Sequence, residues 1–180
     1  MTVHDLSLLE DIEPKTIEEA LGVLRGESDR GAILVAVAVL DTIFTNRLQQ
    51  LLGHGTAKAR ERLLARSLSS FSAKVDLAFC IGIIPSPLYQ DIQLLNKLRN
   101  RCAHDWGSFT VTEEVITTFI EPMAMKRAIN AANEVKPIFF PAGTSPKRVM
   151  VSTLAALITL ANLMKPSRPA PAAKDSRCGS

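Results

Sequence analysis

The sequence has few aromatic residues and few cysteines, and each shortage argues against a class of protein. Aromatic residues make up 5% of the 180 residues, whereas hydrophobic residues of all kinds make up 47%. This aliphatic bias favours helices packed on helices, in a chain long enough to bury a core. The three cysteines, Cys80, Cys102 and Cys178, are widely spaced and form no CxxC pair. The spacing argues against a disulfide framework or a metal site and predicts a reducing cytoplasm.

The common signatures of cofactor binding, secretion and membrane insertion are also missing. No P-loop and no GxGxxG motif occurs in the sequence. The opening MTVHDLSLLEDIE is acidic and lacks the charged-then-apolar order of a signal peptide. The most apolar late stretch, residues 149–164, is shorter than a bilayer span requires. We therefore expect a cytoplasmic protein with no membrane span, no metal and no small-molecule cofactor.

The small net charge of +3 hides an uneven distribution along the chain. Residues 1–29 contain eight acids and two bases, whereas residues 30–164 contain fifteen bases and nine acids. The body of the protein is therefore modestly basic, which permits contact with a polyanion such as RNA. It falls short of the dense basic stripe that is typical of duplex-DNA binders.

Apolar residues recur at three- and four-residue steps along most of the chain, which predicts an all-α, compact multi-helix bundle. From Ser28 to about Leu52 the pattern is apolar on nearly every side, so this helix is expected at the centre of the bundle or at a dimer interface. Further helices are predicted over about 14–25, 56–83, 87–104, from 112 with a break at Pro122, and 149–164, with a loop over 133–146. We divide the chain into an acidic N-terminal segment with a short helix (1–27), a helical bundle domain (28–165) and a disordered Pro/Ala-rich tail (166–180).

The stretch LLNKLRNRCAHDW, residues 94–106, adds a polar cluster to a helix with a buried face. An arginine fork matches a phosphate, and a histidine titrates near neutrality and can move a proton. Arg99 and His104 are therefore a candidate catalytic pair for metal-free RNA cleavage, in which a base activates the ribose 2′-hydroxyl and a cation stabilises the transition state. The candidate binding residues around them are Asn96, Lys97, Asn100, Arg101 and Asp41.

A structural interpretation of the same cluster stays open. Cations in the last turn of a helix complement the helix dipole, and Arg99 could form a salt bridge. Asp41 is a lone acid after nine apolar residues and could face a cation across the bundle, with Arg99 or Arg30 as candidates. Cys102 lies on the apolar face of its helix, which favours an inert core thiol over a nucleophile.

Three linked blocks of the sequence resemble the mannitol operon repressor family. They are SDRGAILVAVAVLD (28–41), SLSSFSAKVDLAFCIGIIP (67–85) and YQDIQLLNKLRNRCAH (89–104), in the order and at the spacing of that family. The resemblance covers about residues 28–106, and residues 107–145 match poorly. The family consists of small cytoplasmic all-helical bacterial proteins that are named as transcriptional regulators and lack an ordinary DNA-reading motif. The resemblance therefore implies regulation through a protein partner or through an unrecognised nucleic-acid surface.

The string RNRCAH also resembles the R-x4-6-H signature of HEPN (higher eukaryotes and prokaryotes nucleotide-binding) domains. Many of these domains are metal-independent ribonucleases that act as dimers. This resemblance implies that Arg99 and His104 are the catalytic pair and that Asn100 is the polar residue that commonly follows the arginine. The same string also occurs in HEPN-like proteins with no known nuclease activity.

Three hypotheses follow for the function. The first is a transcriptional regulator of the mannitol-repressor type, a cytoplasmic homodimer that acts through a protein partner. The alternative is a HEPN-type ribonuclease, toxin-like or defence-like, that cleaves single-stranded RNA with Arg99 and His104. The third is a structural adaptor in which Arg99 and His104 only tie the bundle together, which requires a buried acidic partner for Arg99.

Overall fold

The computed structural model describes residues 14–52, 56–105, 107–135 and 143–164, and all regular structure in these ranges is helical. The helices are α1 (Pro14–Arg25), α2 (Asp29–Leu51), α3 (Ala57–Ala65), α4 (Phe71–Cys80), α5 (Ser86–His104), α6 (Glu113–Val115) with a π-helical turn (Ile116–Ile120), α7 (Ala124–Val135) and α8 (Pro146–Leu163). The predicted all-α bundle is confirmed. The predicted disordered tail lies outside the described residues, as do residues 1–13 of the acidic segment.

Helix α2 lies at the centre of the bundle, which is one of the two positions predicted for it. Its N-terminus is capped by Ser28, whose Oγ accepts a hydrogen bond of 3.0 Å from the Gly31 N–H. It packs against α1, α4, α5 and α8, and its Leu40 and Phe44 are fully buried. By length and composition α2 is the described helix that could cross a membrane, but its four packed neighbours account for its apolar surface as a core helix.

Helix α8 completes the bundle by packing against α1, the first described helix. It packs against α1, α2 and α7, and all of its residues from Met150 to Thr159 are buried. The guanidinium of Arg47 in α2 donates a hydrogen bond of 2.5 Å to the carbonyl oxygen of Asn162, near the end of α8. Such a donor satisfies one of the carbonyl groups that have no partner in the last turn of a helix.

The single helix predicted over residues 56–83 is wrong, because two helices occupy this part of the chain. Helix α3 ends at Ala65, and α4 begins at Phe71 after Ser70, whose Oγ accepts a hydrogen bond of 3.2 Å from the Ala73 N–H. Serine side chains form hydrogen bonds with nearby backbone N–H groups at helix starts. The serine-rich sequence SLSS therefore separates one helix from the start of the next. The helical spacing of apolar residues continues across this break, so the spacing alone predicts one helix.

The other boundaries are close to the predicted ones. Helix α5 begins at Ser86 with Pro87 in its first turn, and Thr112 caps α6 through a bond of 3.4 Å from the Val115 N–H. The helical path is interrupted around Pro122, before α7 begins. The predicted loop over 133–146 starts later, because α7 continues to Val135, and residues 136–142 lie outside the described ranges.

Candidate functional site

Helix α5 presents the polar cluster on its outer side because its inner side is anchored in the core. Leu95, Leu98 and Cys102 are fully buried, and α5 packs against α2, α4, α7 and the π-helical turn. Arg99, Asn100 and His104 are exposed. Residues three and four apart share a helix face, so the same spacing that buries three apolar side chains directs the polar ones outward.

Three of the candidate binding residues, Asp41, Asn96 and Asn100, lie together with Arg99 in an open groove with a volume of about 630 Å³. Helix α5 contributes Asn96, Arg99 and Asn100 to one wall of this groove. The outer side of α2 and residues 69–72 at the start of α4 form the remainder. Asp41 of α2 also lines it, so the structure brings four of the candidate residues to one site.

Arg99 is held only lightly within the groove. Its guanidinium donates a hydrogen bond of 3.0 Å to Oδ1 of the neighbouring Asn100, and both side chains are exposed. Within the described part of the chain Arg99 forms no ion pair. The structural adaptor required a buried acidic partner for Arg99, and this requirement is contradicted.

Asp41 does face a cation across the bundle, but the cation is Lys74 and not Arg99 or Arg30. The Lys74 ammonium donates to both carboxylate oxygens of Asp41, each at 2.8 Å. The Lys74 side chain is 8% exposed, whereas that of Asp41 is 35% exposed and lies at the surface of the groove. The pair therefore neutralises the acid that would otherwise oppose Arg99.

Arg30 instead fixes the segment that follows His104. Its guanidinium donates to the backbone carbonyl of Asp105 and, at 2.7 Å, to that of Gly107. The carbonyl of Asp105 directly follows the last residue of α5, where a positive charge complements the helix dipole. The start of α2 thus positions the end of α5.

The remaining cluster residues lie outside the groove. Lys97 and His104 are exposed, and Arg101 forms an ion pair of 3.0 Å with Glu114 and lies 5.7 Å from the centre of the Phe119 ring. His104 lies five positions after Arg99, which turns the two side chains about 140° apart around the helix. The two members of the predicted catalytic pair therefore diverge on a single copy of α5.

The described residues form no cluster of metal ligands, and the thiol nearest to the polar cluster, that of Cys102, lies in the core. No group of three or more His, Cys, Asp or Glu side chains there could hold a metal ion. Cys102 is fully buried, and burial raises the pKa of its thiol, which agrees with the expected inert core thiol.

Sequence reasoning missed two buried charged residues that shape this region. Lys74 was not connected with Asp41, although a lysine within the apolar helix FSAKVDLAFC is a signal for a buried partner. Asp91 in α5 was also missed. Its two carboxylate oxygens accept hydrogen bonds of 2.7 Å from the Ala124 N–H and 2.8 Å from the Met125 N–H, so it caps α7 from another helix.

Comparison with known proteins adds information about the fold. No family model matches the sequence, and no curated protein matches it. A solved structure, that of the MtlR–HPr complex from Escherichia coli, is similar with a TM-score of 0.59 and 24% sequence identity. The alignment covers 83% of this chain and 99% of the other. The two chains share a fold. The mannitol-repressor-like bundle expected from the three sequence blocks is thereby confirmed as an architecture.

Proposed function

We propose that the protein is a cytoplasmic transcriptional regulator that acts by binding a protein partner. The observation that carries this proposal is the similarity of the bundle to a chain whose structure was solved in the MtlR–HPr complex, over 99% of that chain. The resemblance of three sequence blocks to the mannitol operon repressor family led to the same hypothesis, but no family model matches the sequence. A homodimer, as expected from the sequence, is part of the proposal.

The surface of α5 agrees with a role in binding. Arg99 and Asn100 border an open groove, and neither side chain is tied to a distant part of the bundle. Arginine is also enriched at the centres of protein interfaces, where its planar fork forms several directed hydrogen bonds. Exposed groups that do not stabilise the fold are available for a partner.

A direct binding measurement tests this proposal. Isothermal titration calorimetry of the purified protein with purified HPr should show saturable one-site binding in the micromolar range or tighter. Removal of the protein from its host cell should change the transcript profile, because a transcriptional regulator alters the expression of the genes that it controls. Absence of HPr binding together with an unchanged transcript profile would refute the regulator.

A ribonuclease is the second candidate, because Arg99, Asn100 and His104 are all exposed and none of them forms an ion pair within the described residues. Since Arg99 and His104 diverge on one helix, cleavage would require two copies of α5 to approach each other. Purified protein should then cleave labelled single-stranded RNA in EDTA, whereas the His104→Ala variant should not. Lys58→Ala, which removes an exposed cation from α3 and not from the cluster, is the matched control and should retain cleavage. Equal behaviour of wild type and His104→Ala would exclude this candidate.

A further inference from the structure

The groove between α2 and α5 has two chemically different walls. On the α2 side Leu34, Val37 and Ala38 form an apolar wall, and Leu34 is 38% exposed although it is a large apolar residue. On the α5 side Asn96, Arg99 and Asn100 provide amide and guanidinium groups. An apolar strip beside directed polar groups is the arrangement that an amphipathic segment requires.

The charge within the groove is positive once its ion pair is taken into account. Both oxygens of the Asp41 carboxylate are occupied by the Lys74 ammonium. Among the residues that line the groove, Arg99 is then the charge without an opposite partner in the described structure. A ligand that places an acidic group at Arg99 and apolar side chains at Leu34 would complement both walls.

This lining favours a protein segment over a nucleic acid. A nucleic acid gains affinity mainly by neutralising several phosphates with several cations. The groove offers one unpaired guanidinium, and the other cation beside it, Lys74, is buried against Asp41. Its apolar wall has no role in binding a phosphate backbone, whereas it would cover the apolar face of a helix.

We propose that this groove is the docking site for an acidic amphipathic helix of a partner protein, with a carboxylate of the helix on Arg99 and its apolar side chains on Leu34 and Ala38. The inference rests on the proposed function, since it assigns the surface on which the regulator binds its partner. Arginine–carboxylate pairs are frequently bidentate, which would add geometric specificity to the contact at Arg99.

Two designed peptides and three protein variants test the assignment. The peptides are 16-residue amphipathic helices with leucine at positions i, i+3, i+4 and i+7, flanked by glutamate in one and by lysine in the other. Fluorescence anisotropy should show that the wild type binds the acidic peptide about tenfold more tightly than the basic one. Arg99→Glu should reverse this preference, and Leu34→Ser should weaken binding of the acidic peptide without reversing it. Arg148→Glu, the same charge change on the exposed surface of α8, should leave both affinities unchanged.

The outcomes separate this inference from the proposed function. Equal binding of the two peptides, or equal effects of Arg99→Glu and Arg148→Glu, would overturn the docking site even if HPr binds. Tighter binding of a single-stranded 20-nucleotide RNA than of the acidic peptide would also overturn it in favour of a nucleic acid. If the wild type does not bind HPr but prefers the acidic peptide, and this preference depends on Arg99, the docking site is supported and HPr is refuted as the partner.

Discussion

Replacement of Asp91 by alanine should destabilise the protein more than most substitutions of a charged residue. The residue is 3% exposed, and its carboxylate accepts hydrogen bonds from the Ala124 and Met125 N–H groups at the start of α7. A hydrogen bond to a charged group contributes about 1.5–3 kcal/mol, and the cost of burying the carboxylate offsets part of the two bonds. We expect the free energy of unfolding to fall by about 2–4 kcal/mol, since two N–H groups would remain without their acceptor.

The effect of Asp91 should also depend on pH, in a direction set by burial. Burial raises the pKa of the Asp91 carboxyl above its usual value, although the two N–H groups act in the opposite direction. The folded state therefore holds the proton more tightly than the unfolded state does. Asp91 consequently contributes most to stability below its unfolded pKa, and this part is lost as the pH rises through the folded pKa. Asp91→Asn should remove that pH dependence, because an amide does not titrate.

Urea denaturation followed by circular dichroism at 222 nm measures both effects. Unfolding curves should be recorded for the wild type, Asp91→Ala and Asp91→Asn from pH 3.5 to pH 7. Asp76→Ala is the matched control, because Asp76 is exposed on α4 and its hydrogen bonds in the described part of the chain come from the side chains of Tyr89 and Gln93. Its loss should change the free energy of unfolding by less than about 1 kcal/mol. A cost of Asp91→Ala no greater than that of Asp76→Ala would refute the proposed cap.

The remaining predictions concern the buried ion pair, one glycine and the thiols. Asp41→Ala should destabilise the protein by about 3 kcal/mol, because it leaves the buried Lys74 ammonium unpaired. Lys74→Met should cost clearly less, because the Asp41 carboxylate can reach water. Urea denaturation of both variants measures the two costs, and the reverse order would contradict this reasoning. Gly82→Ala should cost about 1 kcal/mol in the same assay, because Gly82 has a φ of 75° in the turn that ends α4. In the native protein Cys80 should react with iodoacetamide, whereas Cys102 should react only after unfolding, as peptide mass spectrometry would show.

The sequence predicted the elements whose apolar period and end signals agree. Helix α2 and helix α5 fall into this class, since Ser28 and Pro87 mark their starts and the buried residues keep a helical spacing. The break between α3 and α4 was missed because Leu64 and Leu68 keep the period across it. Here a serine-rich stretch that can bond its own backbone outweighs the apolar pattern.

The site was less predictable than the fold because it depends on how helices are rotated against each other. The outward direction of Arg99 and Asn100 follows from the buried positions of their own helix. The pairing of Asp41 with Lys74 does not, since it joins residues 33 positions apart on two helices. A sequence shows that a lone acid in an apolar helix needs a cation, whereas the packing of α2 against α4 decides which cation it meets.

The packing of α8 against α1 and α2 determines when the protein can complete its folding during synthesis. The ribosome makes α1 and α2 first, but the helix that covers them is made more than ninety residues after α2 ends. Until then the apolar surface of α2 is only partly covered, and such surfaces promote aggregation of unfinished chains. Closing the bundle joins distant parts of the sequence, which makes this step a late and slow one. A chaperone that holds the nascent chain until α8 emerges would therefore raise the yield of folded protein.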